Sequence, residues 1–346
     1  MNQLRLFLGI IVSLFLIISG CESSINSVSE PGASSISDRA GSNSNTAVTT
    51  TCKSAGSTGL TALYVNESVK DATIDFNDHG CDIAIYFNEN APEDANVSNT
   101  KIIQETGESG KSTGIRNNGG NVKVTRTEFT TDFSGQYVPI RYDNGATGTI
   151  SSNKLNGTHR TGILARGSGT DVTIRGNSVT GSGAKSSGWA ENGIQVDQGA
   201  VAEIVNNEIT GHWWDGESNF ASSGLILFAS NSKVNNNTYH NNEFSMYIAG
   251  NNNDGKGNQT SSDIVSQSSF DFKAYGVLFA GENNHFAGNS FSSAEGTGAV
   301  GVYIFSGSAK NKVTGNRISG FENPIFDGGN NSLVKGTPAP PNGIGN

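Results

Sequence analysis

A short apolar segment opening on Gly, Pro or Ser recurs along most of this chain, and no other feature narrows its fold as much. It reads GIRNN from Gly114, PIRYD from Pro139, GILAR from Gly162 and GIQVD from Gly193. It continues as GLILF from Gly224, SMYIA from Ser245, GVLFA from Gly276, GVYIF from Gly301 and PIFDG from Pro324. Successive starts lie 25, 23, 31, 31, 21, 31, 25 and 23 residues apart. A repeat of that length marks a solenoid, whose units bury their apolar side only by stacking on the next one. The short steps are one three-sided coil, and the long ones add a loop.

Within most coils a second motif follows, Asn-x-apolar, at Asn153, Asn177, Asn207, Asn237, Asn289 and Asn316. Asn tolerates the left-handed backbone of a sharp strand-to-strand turn. Stacked at one position, its amide can hydrogen-bond from coil to coil. Strands about 4.8 Å apart would bury a continuous cylinder of Val, Ile, Leu and Phe, and parallel crossovers favour the right hand. The expected fold is all-β: one right-handed, three-sided parallel β-helix over residues 51–335, with an N-terminal cap at about 51–80. The pattern resembles the pectate-lyase-like superfamily across roughly residues 65 to 330. That resemblance fixes architecture far more than chemistry, since the scaffold hosts lyases, hydrolases, epimerases, esterases and adhesins. The Pro- and Gly-rich run after Asn323 is expected to stop strand addition.

The first twenty residues, MNQLRLFLGIIVSLFLIISG, carry Arg5 and then an apolar run, the layout of an export signal. The run ends in ISGC, which resembles a bacterial lipobox and implies a lipid on Cys21. Glu22 after it favours sorting to the outer membrane or cell surface. Residues 21–50 are Ser-, Asn- and Gly-rich and read as a tether, and 336–346 as a disordered tail. An exported chain sits in an oxidising compartment, so Cys52 and Cys81 are expected to form a disulfide. A net charge of −9 argues against nucleic acid as a partner. The membrane is reached through the lipid anchor, and the protein is expected to be a monomer.

Alternation assigns the strand faces. Asp143, Arg166, Asp197 and Phe228 should point outward one coil apart. So should Arg116, Arg141, Leu164, Gln195, Ile226, Tyr247, Leu278 and Tyr303. The outer face is therefore charged in its first half and apolar-aromatic in its second, the latter reading as either a covered surface or a ligand platform. The connections into these strands hold all three tryptophans (Trp189, Trp213 and Trp214) together with His159, His212, His240, Arg160, Lys185, Glu191 and Asp215.

Tryptophan faces stack on sugar rings, which points to a polysaccharide partner. Trp189, Trp213, Trp214, Asp215, His159, Arg141 and Tyr247 are the candidate substrate-binding residues. An alternative is that the two adjacent tryptophans close over Phe228 and Ile226 as a lid. The family resemblance implies carboxylates that often hold calcium, making Asp143 and Asp197 the candidate ligands and calcium the candidate cofactor. Arg166, Asp197, His212 and Lys185 are the candidate catalytic set. Arg166 acts by charge neutralisation because its proton is held too tightly for a base, and His212 or Lys185 is the base. The competing reading of the Asp143–Arg166–Asp197 row is a solvated ion-pair ladder. Three functions follow: a surface lipoprotein that binds and cleaves or epimerises a uronate-containing extracellular polysaccharide, a non-catalytic carbohydrate-binding or adhesive module, or a structural envelope protein.

Overall fold

A computed structural model of the chain describes residues 51–104, 112–132, 137–185, 190–214, 221–262, 274–294 and 299–338. Among them there is no α-helix, only two single-turn 3-10 segments at Gly56–Thr58 and Phe76–Asp78. The strands stack in three parallel files. The first face runs from Thr61–Val65 through Ile83–Asn88, Thr113–Asn118, Val138–Asp143, Thr161–Arg166, Asn192–Asp197, Ser223–Leu227, Phe244–Ile248, Ala274–Phe279 and Ala299–Ile304 to Asn323–Asp327. It holds every recurrence of the Gly-type segment. The second and third faces alternate after it, as Val201–Val205 and Glu208–Trp214 do within one coil.

Each face sends side chains inward in columns that run from coil to coil. On the first, one column is Ile85, Ile115, Ile140, Ile163, Ile194, Leu225, Met246, Val277 and Val302, all fully buried. On the second, Val234 is followed by Gly255 and then Phe286, whose ring takes the space that a side chain on Gly255 would need. The glycines that open the repeat are spatial necessities. A Cβ on Gly193 would stand 2.5 Å from both the Gly224 carbonyl oxygen and Ile209 Cγ2.

The asparagine motif builds the turn between the second and third faces. Asn153, Asn177, Asn207, Asn237, Asn258, Asn289 and Asn316 form one buried ladder, each Nδ2 donating to the next Oδ1 at 2.9–3.0 Å. Asn258 escapes the sequence pattern because Thr260, not an apolar residue, occupies its inward position. The left-handed backbone belongs to the residue before the ladder: Asn206 has φ 55° and Asn236 φ 54°. One amide bonds along the axis while its neighbour makes the bend. A second ladder links Asn253, Asn284 and Asn311 at the other end of the second face.

At the N-terminal end Lys53–Ser54 pairs antiparallel with the first strand of the first face, the one antiparallel pairing among the described residues. Cys52 is bonded to Cys81. Strand addition continues past Asn323, contrary to the expectation from its prolines and glycines: Asn323–Asp327 and Leu333–Pro338 add a further coil. Proline is tolerated there because these are edge strands.

Candidate functional site

The outward side chains of the first face form the charged row. Asp143 is buried and accepts from Arg116 Nε at 2.9 Å and from Arg141 Nε at 2.7 and 2.8 Å. Asp197, equally buried, is held by Arg166 through Nε and Nη2, both at 2.9 Å, and by Gln195 Nε2 at 2.7 Å. The row is therefore two clusters, not one Asp–Arg–Asp triad, because Asp143 turns toward the N-terminal coils and leaves Arg166 to Asp197. The guanidiniums stay partly open, with side-chain exposures of 14% for Arg116, 26% for Arg141 and 19% for Arg166. Burial and the neighbouring Arg141 both lower the Arg116 pKa.

Toward the C-terminus the same surface becomes aromatic. Phe228, Tyr247, Phe244, Tyr275, Tyr303 and Phe326 touch ring to ring, with centroids 4.5–6.3 Å apart. Phe244, Tyr275 and Tyr303 are buried; Phe228 and Tyr247 are half-buried. Burial raises the Tyr247 pKa to about 12.

The histidines and tryptophans lie elsewhere. His159 and His212 are fully buried in the corner between the third and first faces, their Nε2 atoms 3.2 Å apart. They meet across a coil that offers Gly181 and Gly183 at that level; a Cβ on Gly181 would lie 3.0 Å from His212 Cδ2. Asn242 donates to the Ile209 carbonyl, so its Oδ1 faces His212 Nδ1 at 2.9 Å. That fixes His212 as the Nδ1–H tautomer and makes its Nε2 the acceptor for His159. Burial drives both pKa values down, to about 4 for His212 and about 3 for His159, where the partner imidazole adds to the effect. Neither ring reaches a bound polymer. His240 lies apart, half-buried against Ser261 and Asn241.

Trp213 is a core residue, 1% exposed. It and Trp214 lie in the strand Glu208–Trp214, not in a loop. The backbone of Lys185 ends the strand Ser178–Lys185, and the side chains of Lys185 and Trp214 lie outside the described residues, as do Trp189, Asp215 and Cys21 entirely. Sequence reasoning passed over Glu243, which is buried and accepts from the Ser222 backbone N–H at 2.8 Å. Glu191 is buried against Ser182. Their signal was only the register that places Arg160, Glu191, Ser222 and Glu243 in one column beside the repeat.

The family profile described as right handed beta helix region matches residues 138–318, a little over half of the chain. The chain belongs to the right-handed β-helix family. No curated protein matches its sequence. Two solved structures resemble this β-helix protein, both of DFA-IIIase from Arthrobacter chlorophenolicus A6. One, a mutant in complex with DFA-III, has TM-score 0.41 and 18% identity, covering 76% of this chain and 60% of that one. The other, in complex with GF2, has TM-score 0.41 and 17% identity over 73% and 58%. The β-helix protein thus spans about 60% of their length.

The carboxylates of this β-helix do not suit calcium. Asp143 and Asp197 already hold guanidinium nitrogens at 2.7–2.9 Å, where a divalent cation would meet like charge. Among the described residues no three His, Cys, Asp or Glu side chains gather to hold a metal. What the row offers instead is hydrogen-bond donors fixed on a stiff sheet, with aromatic surface following along the same axis.

Proposed function

We propose that this β-helix protein is an exported, lipid-anchored monomer that binds an extracellular uronate-containing polysaccharide along the outer surface of its first face. One observation carries the reading: on one surface the guanidiniums of Arg116, Arg141 and Arg166 are followed, past Leu164, Gln195 and Ile226, by a run of aromatic rings from Phe228 to Phe326. Guanidinium forks match sugar carboxylates, and aromatic faces pack on sugar rings. The apolar run before Cys21 supports export and anchoring. Binding is the part of the reading that this geometry supports: of the two candidate bases, His212 lies in the interior and is neutral, and the side chain of Lys185 lies outside the described residues.

The test is retention on immobilised acidic and neutral glycans. The wild-type chain is expected to bind acidic glycans, and Phe228→Ala and Tyr247→Ala to weaken retention without loss of fold. Absence of retention across the panel would overturn the reading. An ultraviolet signal from unsaturated sugar ends would replace binding with lyase chemistry. Anchoring predicts that the wild type fractionates with membranes and Cys21→Ser does not; a soluble wild type would refute it.

A further inference from the structure

We propose that Arg116 and Arg141 form an oxyanion clamp that takes an acidic substituent of a bound glycan, a carboxylate or a sulfate ester. The two arginines pair directly across neighbouring strands of the first face, in the same outward column. Strand spacing sets their backbones about 4.8 Å apart. Both spend Nε on one buried carboxylate, that of Asp143. Among the described residues, the Nη atoms of neither arginine have a hydrogen-bond acceptor in the protein. Two positive charges over one negative leave an excess of one at this spot, in a chain whose net charge is −9.

The contrast with the next cluster is informative. Arg166 gives Nε and Nη2 to Asp197, side by side, in the geometry that satisfies a guanidinium internally. Arg116 and Arg141 are instead tethered by the inner nitrogen, which fixes their orientation and leaves the outer donors for something else. Like charges one strand apart repel, and Asp143 cancels only half of that. An oxyanion between the outer nitrogens would complete the neutralisation and supply their missing acceptors. The glycan part of this proposal rests on the proposed polysaccharide binding; the clamp itself does not.

The experiment measures binding of the full chain to four probes: oligogalacturonate, a sulfated oligosaccharide, an uncharged oligosaccharide and inorganic sulfate. Arg116→Gln, Arg141→Gln and Arg141→Lys are compared with Arg175→Gln, which removes an exposed charge from the second face. Thermal midpoints confirm that each variant is folded.

Each clamp Gln variant is expected to weaken acidic binding by about tenfold, as for loss of one charge-assisted contact. Arg141→Lys is expected to fall between, and Arg175→Gln to match wild type. Uncharged-glycan binding should be unaffected. Whether oligogalacturonate or the sulfated probe is preferred identifies the acid. Acidic binding that Arg116→Gln and Arg141→Gln leave at the Arg175→Gln level would overturn the clamp while sparing the polysaccharide reading. Arginine-dependent sulfate binding with no glycan bound would support the clamp and refute that reading. No arginine-dependent binding of any probe overturns the clamp.

Discussion

Replacing Asn207 by alanine should cost far more than replacing its neighbour Asn206, although the two look interchangeable in sequence. The Asn207 side chain donates to Asn237 Oδ1 and to the Ile174 carbonyl at 2.9 Å, and to the Val205 carbonyl at 3.2 Å. Its Oδ1 accepts from Asn177 N at 3.0 Å and Asn177 Nδ2 at 2.9 Å. Truncation leaves the Asn177 backbone N–H, one Asn177 amide hydrogen and the Ile174 carbonyl short of a partner in a place water does not reach. At about 1–3 kcal/mol for each buried group left unsatisfied, the sum is about 3–9 kcal/mol. Asn206 is exposed and does no more than adopt φ 55°, so its alanine variant forfeits only the left-handed preference, about 1–2 kcal/mol. Urea unfolding of both variants measures the difference, and exchange of the Asn177 amide hydrogen gives a local reading. Should Asn206→Ala prove as destabilising as Asn207→Ala, the division of labour between bend and ladder would be refuted.

Three further outcomes follow from the same geometry. The unfolded chain binds protons at histidine below about pH 6.5, whereas the folded His159 and His212 resist protonation until about 3 and about 4. Stability present above pH 6.5 is therefore lost as pH falls, by about 2 kcal/mol per imidazole on reaching pH 5; urea midpoints of the double variant His159→Leu/His212→Leu should show a flattened slope between pH 7 and 5. Trp213→Ala should destabilise by about 3–5 kcal/mol and leave glycan retention of the folded fraction intact; lost retention with unchanged stability would contradict its place in the core. Reducing Cys52–Cys81, which closes a span of 29 residues, should cost about 3–4 kcal/mol, read as a lower urea midpoint for Cys52→Ser/Cys81→Ser.

The coil pattern was legible because a corner without room for a Cβ and a turn sealed by amides both demand specific residues at fixed intervals. Alternation also placed Arg141, Arg166, Asp197 and Tyr247 outward correctly, since the first-face strands keep their period. Trp213 was misplaced for another reason: its segment reads as a connection, whereas Glu208–Trp214 is one strand in which Trp213 keeps the inward parity of Ile209. The extra residue of the register shift after Thr180 belongs to the neighbouring strand Ser178–Lys185 and leaves that parity untouched. The histidine pair was hidden for a different reason. What lets the rings meet is an absence, Gly181 and Gly183 in the coil between, and nothing in His159 or His212 themselves announces it. Equally, spacing put Arg166 between two aspartates, but only side-chain direction could tell that Asp143 leans the other way.

The two ends of the stack are unlike. One carries a reversed strand and a covalent staple; at the other, neither is found among the described residues, and Phe326 is 45% and Leu333 43% exposed. In an array held by nearest-neighbour contacts, loss of order should start at that unstapled end and travel toward the stapled one. The molecule thus has a direction of wear: the ring-lined stretch goes first, and the arginine pair, lodged close to the staple, is among the last parts to let go.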